Sequence, residues 1–182
     1  HHLQVMQPGK SLNMLLSKAL IELDQVYTQM EKCDAIVVQG DTTTVLAGAL
    51  VAFNLNISLA HVEAGLRSFD LMHPFPEEGN RQLVSRLARW HFAPTQLSAD
   101  NLRRENVPEK KIFITGNTVV DAIYSARELM LSSSQQSQQR LQRLGLTLQE
   151  QNKLVLITAH RRENFGQGIQ NICETIHELC HR

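Results

Sequence analysis

At 182 residues the chain can hold one ordinary domain, or one domain and part of another. Eighteen Lys and Arg balance eighteen Asp and Glu, so no global field draws it to nucleic acid or to an anionic membrane surface. Hydrophobic content of 42% supports a core, yet no apolar run reaches the roughly 18 residues of a membrane span and no signal peptide is recognisable; a soluble cytoplasmic protein is expected.

From the N-terminus, Leu12, Leu15, Leu16, Leu20, Ile21 and Val26 recur at helical spacing, which predicts a helix over Ser11 to Lys32. Strand and helix signals then alternate. Strands are predicted at Ala35–Val38, Ile57–Val62, Trp90–Ala93 and Lys111–Thr115, and helices at Thr43–Phe53, Glu77–Leu87, Leu97–Glu105 and Val119–Leu131. Short strands separated by helices of this length argue for βαβ units and a parallel α/β sheet. Pro74 and Pro76 make the segment between Arg67 and Glu77 a loop. The Ser/Gln-rich stretch Ser132 to Gln142 reads as a flexible connection or a fraying helix. Beyond it, Lys153–Thr158 is a predicted strand, and Gln167 to His181 a helix with Ile169, Ile172, Cys173, Ile176, Leu179 and Cys180 on one face. One βα pair cannot bury both its faces, and a doubly wound sheet rarely opens with a long helix. The sequence is therefore expected to be truncated at both ends. Cys33, Cys173 and Cys180 lack CxxC spacing and are expected to be reduced, buried thiols.

The first strand stops at Gly40-Asp41 and the second at His61-Val62-Glu63-Ala64-Gly65, each turning into a segment that carries charge or hydroxyls. In open α/β sheets that edge is where ligands bind. Bland readings stand beside this one. Asp41 and the threonines after it are good helix caps, and Glu63 could pair with Arg67 in a structural ion pair. Glu77 and Glu78 suit the positive end of a helix, and His61 reads best as a core histidine. Asn117 lies in another strand-to-helix turn. His160-Arg161-Arg162 ends the last predicted strand and fits either a phosphate site or a solvated basic turn.

Five segments in succession, VQGDTTT, HVEAGLRS, PFPEEGNR, ITGNTVVDA and TAHRREN, resemble the non-hydrolysing UDP-N-acetylglucosamine 2-epimerases over essentially the whole chain. The resemblance implies two Rossmann-like domains in a glycosyltransferase-B arrangement, with the site in the cleft between them. Residues 1–131 would supply most of the first domain, 132–152 the linker, and 153–182 the first strand and helix of the second. It further implies interconversion of UDP-N-acetylglucosamine and UDP-N-acetylmannosamine, serving cell-surface polysaccharide synthesis, through loss of UDP to a 2-acetamidoglucal and its re-addition. Asp41, Glu63, Glu77 and His160 fall on the family's catalytic positions; Arg161, Arg67 and Asn117 are assigned to substrate binding. No cofactor and no metal is implied, and a homodimer is expected. The isolated 182 residues are expected to be inactive.

Gln39 stands where the family usually has His, His73 where Ser commonly precedes the Pro-x-Pro turn, and Gly79 where a bulkier apolar residue is usual. These departures flank the four catalytic positions and leave them intact. The hydrolysing relatives typically carry Gly-Asp-Arg and Gly-Gly-Glu, so Asp41-Thr42-Thr43 and Glu63-Ala64-Gly65 favour the non-hydrolysing branch. A hydrolysing 2-epimerase, a glycosyltransferase of the same architecture and a non-catalytic sugar-nucleotide-binding fragment remain the alternatives.

Overall fold

The computed structural model describes residues 3, 5, 9, 11–146, 155–159 and 165–180, with the backbone alone at 134–138. It divides into two compact units, His1–Asn117 and Thr118–Arg182. The first unit is built on strands β1 (Ala35–Gln39), β2 (Ser58–Val62), β3 (Trp90–Ala93) and β4 (Ile112–Ile114), all parallel and ordered as in the sequence. Between them run helices α2 (Thr43–Asn54), α3 (Glu77–Leu87) and α4 (Gln96–Arg104), and α1 (Leu12–Thr28) precedes the sheet. The expected α/β Rossmann-like sheet is present. The second unit contains α5 (Thr118–Ser132), α6 (Ser134–Arg143) and α7 (Gln167–Cys180).

Register explains which strand residues are buried. Val38 pairs with His61, His61 with His91, and His91 with Ile112, so these four share one face of the sheet. That face carries α2, which packs on β1 and β2, and the α3 and α4 helices beside it. Ile36, Val38, Val45, Leu46, Leu59 and Val84 form the main core, and Gly48, Ala49 and Ala52 let α2 approach the sheet closely. Each fully buried Val or Leu contributes about 1.5–3 kcal/mol. A smaller cluster of Ala64, Ala93, Ala99, Leu102 and Ile112 seats α4 on β3 and β4.

Gly65 fixes the path of the chain after β2. Its φ is +86°, and a Cβ there would lie 2.2 Å from the Ser98 carbonyl oxygen, so only glycine fits. Asn101 Nδ2 donates to the Gly65 carbonyl at 3.0 Å, completing the junction between this turn and α4.

Several elements differ from their expected bounds. The first helix ends at Thr28, four residues before Lys32, where the Thr28 hydroxyl donates back to the Asp24 carbonyl at 2.7 Å and the apolar repeat has run out. Ile57 precedes β2, and Lys111 belongs to a 3₁₀ turn (Glu109–Lys111) leading into β4. Of the two readings of the Ser/Gln-rich stretch, the helical one holds over α6. The strand expected at Lys153–Thr158 is not found: residues 155–159 belong to no strand, and Val155 and Leu156 are exposed. A strand exists through ladder bonds to a neighbour, and the sheet among the described residues ends at β4. All three cysteines are free as expected, but only Cys33 is even partly buried. Cys173 and Cys180 lie on a face of α7 that stays largely in solvent among the described residues. No helix there is long and apolar enough to cross a membrane.

Candidate active site

The carboxyl ends of β1, β2 and β4 deliver Gly40-Asp41, Glu63 and Gly116-Asn117 to one edge of the sheet. Gly40 has φ +82°, a left-handed turn that carries the chain out of β1, and its N–H still donates to the Val62 carbonyl at 3.1 Å. Asp41 follows. It does not cap α2, because that place belongs to Thr42, whose hydroxyl accepts from the Val45 N–H at 3.4 Å. The capping reading of the threonines is therefore right, and it frees Asp41 for another task.

Glu63 also sits in the left-handed region, at φ +68°. A non-glycine residue held there is uncommon and carries backbone strain, a feature that concentrates at functional sites. Asn117 Nδ2 donates to Glu63 Oε1 at 3.2 Å, and Glu63 Oε2 faces the Gly40 turn, 3.6 Å from where a Cβ on that glycine would stand. Glu77 is the first residue of α3 and lies close enough to Asp41 for the two charges to repel.

Asp41 is the electrostatic focus. Its carboxyl is raised above the ordinary aspartate value, first by burial and then by the neighbouring Glu77 and Glu63 charges; Arg81 and the residue's own backbone N–H oppose the rise. A carboxyl whose proton is retained more readily than usual is suited to proton transfer.

Two residues of this cluster escaped the sequence reading. Asn80 is buried and donates through Nδ2 to the Asp41 carbonyl at 2.8 Å. Arg81 Nε lies 3.1 Å from Glu78 Oε2 and 3.7 Å from Asp41 Oδ2, within ion-pair range though not aligned for a hydrogen bond. The signal was present: Glu77, Asn80 and Arg81 are at i, i+3 and i+4, one face of a helix. Glu78, in contrast, is fully buried and structural. It accepts from the Ser68 and Phe69 N–H groups at 3.0 and 3.3 Å and from Gln82 Nε2 at 2.7 Å, which ties the loop after Arg67 to α3.

Arg67, assigned to substrate, is placed elsewhere. Its side chain is 0% exposed and bound to Glu105 through Nε and Nη2, to Ser85 Oγ and to the Leu66 carbonyl. Four of its five N–H donors are thus spent inside the protein. The structural ion pair foreseen for it exists, with Glu105 as partner and not Glu63. His160 and Arg161 lie outside the described residues.

A parallel α/β sheet with carboxylates gathered at its carboxyl edge defines a Rossmann-like α/β protein, and solved structures of similar chains agree with that class. The structure of UDP-GlcNAc 2-epimerase from Neisseria meningitidis bound to UDP-GlcNAc superposes with a TM-score of 0.91 at 42% identity, covering 98% of this chain and 47% of that one. The Methanocaldococcus jannaschii enzyme, in complex with UDP-GlcNAc and UDP, matches 68% of this chain at 50% identity, with a TM-score of 0.63 over 33% of its own length. Among curated proteins, the UDP-N-acetylglucosamine 2-epimerase of Salmonella typhimurium is 44% identical over 179 residues, 98% of this chain and 47% of the relative. The family model described as UDP-N-acetylglucosamine 2-epimerase matches residues 1–182. The chain belongs to the UDP-N-acetylglucosamine 2-epimerase family, and it spans about half the length of the curated relatives it matches.

Proposed function

We propose that the protein containing this chain interconverts UDP-N-acetylglucosamine and UDP-N-acetylmannosamine without net hydrolysis. The observation that carries this reading is the meeting of Asp41, Glu63 and Glu77 at one sheet edge, with the Asp41 carboxyl raised by burial and by the other two. Solved relatives bound to UDP-GlcNAc support a nucleotide-sugar substrate.

The C2 hydrogen of the hexosamine is not acidic enough for direct removal. If the C1–O bond breaks first, its electron pair leaves with UDP and C1 becomes cationic. A carboxylate then takes the C2 proton, the C2–H electrons form the C1=C2 double bond, and a 2-acetamidoglucal results. Re-addition reverses each change, with the proton delivered to the opposite face of C2. Carboxylates near C1 and C2 stabilise the oxocarbenium character, as in glycosidases. In this scheme Asp41 and Glu63 are the closer pair acting at C2, Glu77 orients or shuttles, and Asn117 holds Glu63 toward the sugar. His160 and Arg161 meet the departing diphosphate. Arg67 supports the site from within the protein, through Glu105 and Ser85, and does not touch the sugar.

Residues 1–131 would form most of an N-terminal domain, 132–152 a linker, and the residues from 153 onward the start of a second domain that completes the cleft. The assembled enzyme would be a cytoplasmic homodimer serving cell-surface polysaccharide synthesis. The 182 residues alone would lack activity.

Incubation of the full-length protein with UDP-N-acetylglucosamine, followed by proton NMR, tests the reading. UDP-N-acetylmannosamine is the expected product. Free N-acetylmannosamine with UDP would move the protein to the hydrolysing branch, and a sugar transferred to an acceptor would make it a glycosyltransferase.

A further inference from the structure

His61 is one of the largest fully buried side chains in the protein, and its part in the site has not been assigned. It lies on β2 two residues before Glu63 and opposite Val38, two residues before Gly40. From there its Nε2 reaches the Gly40 carbonyl oxygen at 2.8 Å. A carbonyl only accepts, so Nε2 carries the proton. Burial holds the imidazole neutral, lowering its pKa to about 4, and this leaves Nδ1 as a bare acceptor. Nδ1 has no hydrogen-bond partner among the described residues.

An imidazole that merely filled space could be replaced by an apolar side chain with no orphaned nitrogen. What the ring supplies beyond volume is one hydrogen bond, to the peptide that joins Gly40 to Asp41. The main chain around that peptide is pinned at three successive peptide units, and His61 holds the middle one. The Gly40 N–H is held by Val62, the Gly40 carbonyl by His61, and the Asp41 carbonyl by Asn80. Among the described residues the Asp41 carboxylate is held less firmly: its own backbone N–H reaches it, and Arg81 approaches to 3.7 Å without hydrogen-bond alignment. Its aim is therefore set through the main chain, and at Gly40 that chain passes through a left-handed turn.

We infer that His61 is a positioning residue for the reaction, its Nε2–H fixing the plane of the Gly40–Asp41 peptide and thereby the aim of the Asp41 carboxylate at the sugar. This rests on the epimerase reading for the reaction and on the geometry alone for the positioning.

Three variants of the full-length enzyme test it. His61→Leu and His61→Met fill the volume without a donor, and the Gln amide of His61→Gln places a donor close to the Nε2 position. Loss of aim should lower kcat by about tenfold to a hundredfold in the Leu and Met variants, with KM within about threefold of the parent. His61→Gln should recover most of that loss. If His61→Leu does not fold, the Met variant carries the same comparison. A folded donorless variant with parental kcat overturns the inference, and so does a Gln variant as impaired as the other two. Carbon-13 NMR of the Asp41 carboxyl gives a readout that needs no turnover. Its titration midpoint should move toward the ordinary aspartate value in the donorless variants and return with Gln; an unmoved midpoint overturns the inference. Failure of the parent enzyme to epimerise would remove the assigned reaction, while the NMR comparison would still decide the positioning.

Discussion

Arg67 grips Glu105 with two prongs, Nε to Oε1 at 2.6 Å and Nη2 to Oε2 at 2.8 Å, while the same Nη2 reaches Ser85 Oγ at 2.8 Å. One arginine thereby ties the turn after β2 to the far end of α4 and to α3. The arginine side chain is fully buried and the glutamate 16% exposed, so neither charge is well solvated if the other is removed. Arg67→Met should cost about 3–5 kcal/mol, the usual penalty for stranding one partner of a buried pair. Urea unfolding measures it. Activity of the fraction still folded should survive with little change in KM, whereas a residue gripping substrate would raise KM with stability unchanged.

Asp41 should show the opposite balance. Its folded-state pKa is raised, chiefly by burial and then by Glu77 and Glu63, so between the unfolded and folded values the native state binds more protons than the unfolded one. Stability contributed by this group therefore falls as pH rises through that window, and at neutral pH the charge is a burden on the fold. Asp41→Asn removes that burden while keeping shape. Thermal unfolding at neutral pH should show a gain in stability, and epimerisation should drop by about 10²–10⁴-fold. A variant both less stable and still active would contradict this assignment.

Glu78 titrates with the other sign. Burial alone would raise its pKa, but hydrogen bonds from the Ser68 N–H, Gln82 and the Phe69 N–H, together with Arg81, hold it below the ordinary glutamate range. Its contribution to stability is present above the unfolded value and is lost as pH falls through the folded one. Glu78→Gln should cost about 1–3 kcal/mol at neutral pH by leaving buried donors poorly satisfied. The difference between parent and variant in denaturant midpoint should shrink as the pH is taken below about 4, the ordinary carboxylate range.

Gly65→Ala is expected to be among the most damaging small changes. It combines a left-handed backbone with a methyl group 2.2 Å from the Ser98 carbonyl oxygen, so α4 has to move away from the β2 turn. A loss of roughly 3 kcal/mol or more follows from strain of this kind. Circular dichroism against denaturant reads it. The same substitution at Gly79, where no atom lies within 4 Å and the glycine is helical, should stabilise slightly.

The alternation of apolar runs with helical repeats revealed β1 to β4 and the helices between them, since β1, β2 and β3 each pack against the helix that follows and both periods are written in the chain. Bounds shifted where local polar chemistry decides, as at Thr28, whose hydroxyl bonds the preceding turn. Of the candidate site, the parts readable in the sequence were the acids that end strands, Asp41 and Glu63. The partner of Arg67 was not, because Glu105 is 38 residues away and only the packing of α4 against the β2 turn brings them together. Asn80 and Arg81 were hidden differently: they belong to a helix face that is recognisable only once Glu77 is known to lie near Asp41. His61 was read as a core histidine, and it is one; its bond to Gly40 depends on strand register, which a single sequence does not state.

The most direct test of the reaction is exchange at C2. The full-length enzyme is incubated with UDP-N-acetylglucosamine in heavy water, and the sugar signals are followed by proton NMR. The scheme requires deuterium at C2 in UDP-N-acetylmannosamine as it forms, with both events lost together in Asp41→Asn. Product that keeps its original C2 hydrogen, or substrate left unchanged and unlabelled, would contradict proton abstraction by the carboxylates of this site.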